Sequence, residues 1–152
     1  ADELRGEGFE RLREFISSGG RYVGICAGAY LPLPSSLEPF SEFNLSSTRI
    51  QNIGFEDLEP QDVPPRIAVR YGACSIVHPV RGEMLLDADG STLLAPLYGG
   101  PVFREPSDDR VVLRYRGLTK NTEVQMSGRI VDDMLLGRPA AIRSAEVPGL
   151  RR

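Results

Sequence analysis

The sequence predicts a mixed α/β domain, and three observations carry that expectation. An amphipathic helical pattern near the N-terminus passes through paired glycines into a wholly apolar, strand-like run, an order typical of half a βαβ unit. The remainder breaks into short strand-like pieces divided by turn residues. Sixteen glycines and twelve prolines in 152 residues favour tight turns and disfavour an all-helical bundle. A chain of this length buries roughly 70% of the surface its unfolded form exposes, so residues 1–152 are expected to form a single domain.

The helix is expected from about Glu3 to Ser17, where Leu4, Phe9, Leu12, Phe15 and Ile16 recur near helical spacing among Glu10, Arg11, Arg13 and Glu14. Gly19 and Gly20 end it, because glycine readily takes the left-handed conformation that closes a last turn. Tyr22 to Cys26 then reads as a strand buried on both faces. Pro32 and Pro34 restrict any helix after Cys26 to about one turn, and Pro32 to Thr48 reads as an irregular surface segment. Strands are expected at Arg49–Ile53, Arg66–Tyr71, Ser75–Val80, Glu83–Leu86, Thr92–Leu97, Val111–Tyr115, Glu123–Met126 and Ala140–Arg143, several of them antiparallel. Asp89-Gly90 joins two of these as a hairpin turn. Arg129 to Leu136 fits strand and helix equally, and no internal repeat occurs.

Composition narrows function by exclusion. Eighteen bases against 21 acids leave a net charge of −3 with no charged blocks, so neither nucleic acid nor an anionic membrane surface is an expected partner. One histidine, His78, and two cysteines, Cys26 and Cys74, cannot build the usual four-ligand zinc sites, so no metal and no cofactor is expected. No basic-then-apolar leader is visible and no apolar run approaches ~18 residues, which makes a reducing cytoplasm the expected setting. The chain opens at Ala1 directly on a helical pattern and is expected to be a piece of a longer product.

One motif carries chemistry. Gly24-Ile25-Cys26-Ala27-Gly28 is a Gly-x-Cys-x-Gly where a strand is expected to turn into a helix, the context of a nucleophile elbow. A residue strained at such a bend needs tiny neighbours two positions before and after it so that strand and helix can pass, and Gly24 and Gly28 meet that need. A helix N-terminus facing the sulfur would favour the thiolate, and the Ala27 N–H would be a donor to an oxyanion.

The stretch from Gly19 to Tyr30 resembles the nucleophile region of the class I glutamine amidotransferase-like superfamily, and within it the biotin-protein ligase N-terminal domain family. A weaker similarity runs through Tyr98-Gly99-Gly100-Pro101-Val102-Phe103, the Val111 to Tyr115 strand and Pro139 to Arg143. The resemblance implies a flavodoxin-like core with an added antiparallel β region. It implies Cys26 as the nucleophile of a Cys-His-Glu triad that attacks a small-molecule amide through a thioester. Two departures stand out: the glycine-rich loop of the second oxyanion donor would precede Ala1, and Ser144 to Arg152 hold no His-x-Glu segment. The domain is therefore expected to be truncated at both ends, and this piece alone to be a poor catalyst. A non-catalytic binding or regulatory module with an unknown protein partner is the rival expectation.

The remaining candidates have plainer alternatives. His78 is a substitute base or a half-exposed strand histidine, and Cys74 is expected to serve packing. Tyr30, Glu38 and Glu42 shape a pocket over the elbow or are ordinary loop side chains. Gly99 and Gly100 bring backbone close to a ligand or form a simple turn. Asn44-Leu45-Ser46 matches a glycosylation acceptor, which matters only in a secreted protein.

Overall fold

The computed structural model describes residues 6–34, 45–50, 69–71, 74–76, 79–124 and 128–144. Helix α1 covers Glu7–Ser17 and a five-residue 3-10 turn covers Cys26–Tyr30. Strands β1 (Val69–Tyr71) and β2 (Cys74–Ile76) pair antiparallel. Four further strands, β3 (Val80–Ala88), β4 (Ser91–Leu97), β5 (Arg110–Val124) and β6 (Pro139–Arg143), form an antiparallel sheet in the order β4-β3-β5-β6. Helix α2, Gly128–Met134, lies between β5 and β6 in the chain. The mixed helix and strand content agrees with the α/β expectation, and the strand pairs among the described residues are antiparallel.

α1 buries the stripe its sequence marks. Phe9 packs with Leu45, and Leu12, Ile16 and Leu31 close around them. Its end is a Schellman closure: Gly19 N–H donates to Ile16 O (3.0 Å) and Gly20 N–H to Phe15 O (2.9 Å). Gly19 holds a φ of 99°, which a side chain would resist.

The residues after it correct an expectation. Residues 21–25 form no strand pair, and Val23 and Ile25 stand 78% and 80% exposed, although Ile25 has extended backbone. An apolar run becomes a buried strand only when neighbours bond its edges and cover its faces, and none among the described residues does so here.

The hairpin reads as expected. Ala88 pairs with Ser91, and Asp89 and Gly90 both take positive φ, 47° and 87°, the geometry of a type I′ turn. β5 is one 15-residue strand where two shorter pieces were expected, and it bends through register shifts against both neighbours. The ambiguous Arg129–Leu136 segment is helical: Ile130 and Val131 on α2 and Leu135 just beyond it are buried. Val131 and Leu135 complete a core of Val80, Met84, Leu86, Val102 and Tyr115, with Ala95, Leu97 and Ala140 at its margin. Burial, with Tyr30 nearby, raises the Tyr115 phenol well above its ordinary value.

A second cluster, Leu33, Ile50 and Phe103 with Tyr30 and Ile142 against it, joins the sheet to the turn region. Residues 49–50 run beside 103–104 through an Ile50–Phe103 bridge and an Arg104 N–H to Arg49 O bond (2.8 Å). Phe103 N–H in turn donates to Pro139 O (3.2 Å). Ser46 and Thr48, the buried polar side chains among the described residues, both donate their hydroxyls to Asp109 Oδ2, the first at 2.6 Å. Partial burial pushes the Asp109 carboxyl up, but hydrogen bonds from Ser46, Thr48 and Ser144 outweigh it and hold it below the usual carboxylate range. No helix here is long and apolar enough to cross a membrane among the described residues.

Leu135, fully buried, anchors α2 to the sheet, so Leu135→Ala is expected to lower unfolding free energy by about 2–5 kcal/mol in urea titration. Arg81→Ala, which removes an exposed pair with Glu123, should change it by less than about 1 kcal/mol. Asp109 has a lower pKa folded than unfolded, so its contribution is full above the unfolded value near 4 and fades as pH falls through the folded one. Thermal melts of the wild type should therefore lose stability below about pH 4 more steeply than those of Asp109→Asn.

Candidate functional site

Cys26 takes a φ of 53° at the point where the extended segment 21–25 breaks into the 3-10 turn. Positive φ at a non-glycine residue costs of order 1–3 kcal/mol and persists only where surrounding structure enforces it. Three contacts do so. A Cβ added to Gly24 would meet Gly28 O at 2.4 Å and the Ala29 Cα at 2.8 Å, so segment and turn cross at a distance only glycine allows. Gly28 N–H donates to Ile25 O at 3.0 Å, closing the bend. The Tyr22 hydroxyl donates to Gly28 O at 2.6 Å, tying the extended segment to the turn from outside. Gly28 is less constrained, since a Cβ there would find the Tyr22 hydroxyl at an ordinary 3.6 Å.

The bend leaves the Cys26 thiol exposed and free of any disulfide. Gly99 and Gly100 both hold positive φ (118° and 104°), and Gly100 approaches the bend: a Cβ on it would stand 3.6 Å from the Cys26 Cα, whereas one on Gly99 would meet nothing within 4 Å. This loop is fixed from behind by Pro101, Val102 and Phe103, all buried. Cys26, Ala27, Gly24, Gly28, Gly99 and Gly100 are thus brought together at one place. Tyr30 is not part of that opening; it packs half-buried against Leu33, Ile50 and Phe103. His78, Glu38, Glu42 and Asn44 lie outside the described residues, as does the side chain of Cys74.

Two features differ from the elbow the sequence suggests. The helix after Cys26 is the short turn that Pro32 and Pro34 allow, five residues of 3-10, and it is too short to sum the dipole expected to face the sulfur. An open groove of about 1450 Å³ lies beside the bend, lined by Tyr22 to Ile25, Ala29, Leu33, Leu45, Phe103 and Ala141 to Ser144. Residues on both sides of Cys26 face this groove and Cys26 itself does not line it. No group of three His, Cys, Asp or Glu side chains that could hold a metal ion occurs among the described residues.

Tyr22 is the site residue that sequence reasoning missed. Its signal was faint: an aromatic hydroxyl four positions before the cysteine, on the segment that has to be tied down. Burial raises its phenol above the ordinary value, which keeps it a hydrogen-bond donor.

A family model described as "Biotin-protein ligase, N terminal" matches residues 1–50. No curated protein and no solved structure gives a match. The matched span contains α1, its glycine closure, the extended segment and the whole bend at Cys26. Over its first fifty residues, where the bend is built, the chain is similar to the family described as biotin-protein ligase, N terminal.

Proposed function

We propose that this biotin-protein ligase N-terminal-like domain uses Cys26 as a thiol nucleophile toward the carbonyl carbon of a small-molecule amide, within a flavodoxin-like core of the glutamine amidotransferase type. The observation that carries the reading is the exposed sulfur on a residue forced to positive φ by the crossing of Gly24 and Gly28. A nucleophile held in a sparsely populated backbone state, with its side chain clear of neighbours, is the arrangement that acyl transfer requires. In that reaction the sulfur bonds to the carbonyl carbon and the carbon–oxygen π electrons move to oxygen. The Ala27 N–H, at the start of the turn where backbone donors lack intrahelical partners, would receive that charge. Collapse breaks the carbon–nitrogen bond as the amide nitrogen takes up the proton that the thiol gave up, releasing ammonia and leaving a thioester. Water then releases the acid and regenerates the thiol.

The step needs a base. No histidine occurs among the described residues, the single one being His78. With one histidine in the whole sequence and a base still to be assigned, the second reading is a binding or regulatory module that keeps the bend and performs no turnover. The two readings differ in what the sulfur does with substrate, not in where it stands.

Iodoacetamide labelling near neutral pH, followed by peptide mass mapping, should modify Cys26 about tenfold faster than Cys74, and Cys26→Ser should abolish the fast phase; equal slow rates would remove the nucleophile reading. Ammonia release from glutamine separates the two functions: release lost in Cys26→Ser supports hydrolysis, and its absence in the wild type leaves the binding module. Gly24→Ala forces a methyl group against the Gly28 carbonyl and should cost about 1–3 kcal/mol while bringing the Cys26 labelling rate down to that of an unstructured thiol.

A further inference from the structure

We infer that Asp109 acts as a remote positioning residue for the Cys26 bend, by clamping the 45–50 segment from which both walls of the bend are hung. The first wall is the turn itself. Leu45 N–H and Ser46 N–H both donate to Pro32 O, at 2.9 and 3.0 Å, and Leu33 N–H donates to Tyr30 O at 3.1 Å, so the exit of the turn is bonded to this segment. The second wall is the Gly99–Gly100 loop. It runs directly into Phe103, which is bridged to Ile50, and Arg104, which is bonded to Arg49. Cys26 opens the first wall and faces the second, where a Cβ on Gly100 would stand 3.6 Å from the Cys26 Cα.

The 45–50 segment therefore sets the separation of the two walls, and the sheet holds it at its polar end through Asp109. Ser46 and Thr48 are 5% and 3% exposed and place both hydroxyls on one carboxylate oxygen, while Thr48 N–H donates to Ser46 Oγ at 3.0 Å. Buried hydroxyls deprived of their acceptor must find another partner or move toward water. Asp108, next in the chain, offers a contrast: it takes hydrogen bonds from the hydroxyls of Ser47 and Ser107, which are exposed and can exchange the carboxylate for water. Arg110 on the other side is engaged with Asp89 and leaves Asp109 to the hydroxyls. The inference concerns where the sulfur is held and stands whether or not that sulfur attacks an amide.

The test compares the full chain with Asp109→Asn, Ser46→Ala and, as control, Asp108→Asn, by NMR. Two quantities are read: amide hydrogen exchange at Leu45 and Ser46, and the Cys26 HN–Hα coupling with its Cα shift, which report φ. Asp109→Asn is expected to speed exchange at Leu45 and Ser46 about tenfold and to move the Cys26 coupling and the Gly100 amide shift toward averaged values. Ser46→Ala should do the same to a smaller extent and serves if Asp109→Asn fails to fold, whereas Asp108→Asn should do neither. Faster exchange with unmoved Cys26 and Gly100 signals would show a clasp of purely local reach and overturn the inference. So would unchanged exchange, or an equal response in Asp108→Asn.

Discussion

The bend at Cys26 depends on two stretches of backbone passing closer than any side chain permits. Gly24 crosses Gly28 and Ala29 at a separation where one methyl group would overlap the carbonyl oxygen. That crossing makes the left-handed conformation of Cys26 the way through, and the Tyr22 hydroxyl and the Ile25 carbonyl hold it there. Strain of this kind is stable only when the contacts around it are worth more than the strained residue loses by staying. Cys26 stands exposed at the apex of that turn.

The rest of the molecule supplies a frame for the bend. The antiparallel sheet and α2 bury a continuous apolar core in which Met84, Val80, Val131 and Leu135 are almost fully enclosed. From that core the chain reaches back toward the elbow through Val102 and Phe103. Val102 belongs to the sheet core, and its neighbour Phe103 belongs to the cluster beneath the turn. Alternate side chains of an extended segment point to opposite faces, which lets one short stretch join two cores. The loop that meets Cys26 is the part of this stretch that emerges from the core, which explains why two glycines at positive φ can be held still there.

Polar contacts divide by burial into those that fix the architecture and those that decorate it. The ion pairs Arg11–Glu7, Arg81–Glu123 and Arg110–Asp89 are half or more exposed and contribute little. The Arg114–Glu105 pair is similar in kind: the hydrogen bond from Arg114 lowers the Glu105 carboxyl, but water screens it. Asp109 differs because its partners are buried hydroxyls, shielded from the water that would otherwise take its place.

Some features were legible because the physics behind them is local. The Schellman end of α1 needs only a glycine after an amphipathic stripe, the type I′ hairpin needs only Asp89-Gly90 between strands, and the crossing at the bend needs only a glycine two positions before Cys26. Each is decided within a few residues, so the one-dimensional pattern already contains it. Burial is not local. Tyr22 to Ile25 has the composition of an interior strand, yet Val23 and Ile25 face outward because no described strand pairs with them. Arg129 to Leu136 suited helix and strand alike until the sheet face beneath it selected the form that buries Val131 and Leu135. The grip of Asp109 on Ser46 and Thr48 joins residues some sixty positions apart. Backbone chirality and side-chain size determined where this chain turns; only the neighbours assembled in three dimensions decided which of its apolar and polar groups are enclosed, because enclosure belongs to a surface and its covering together.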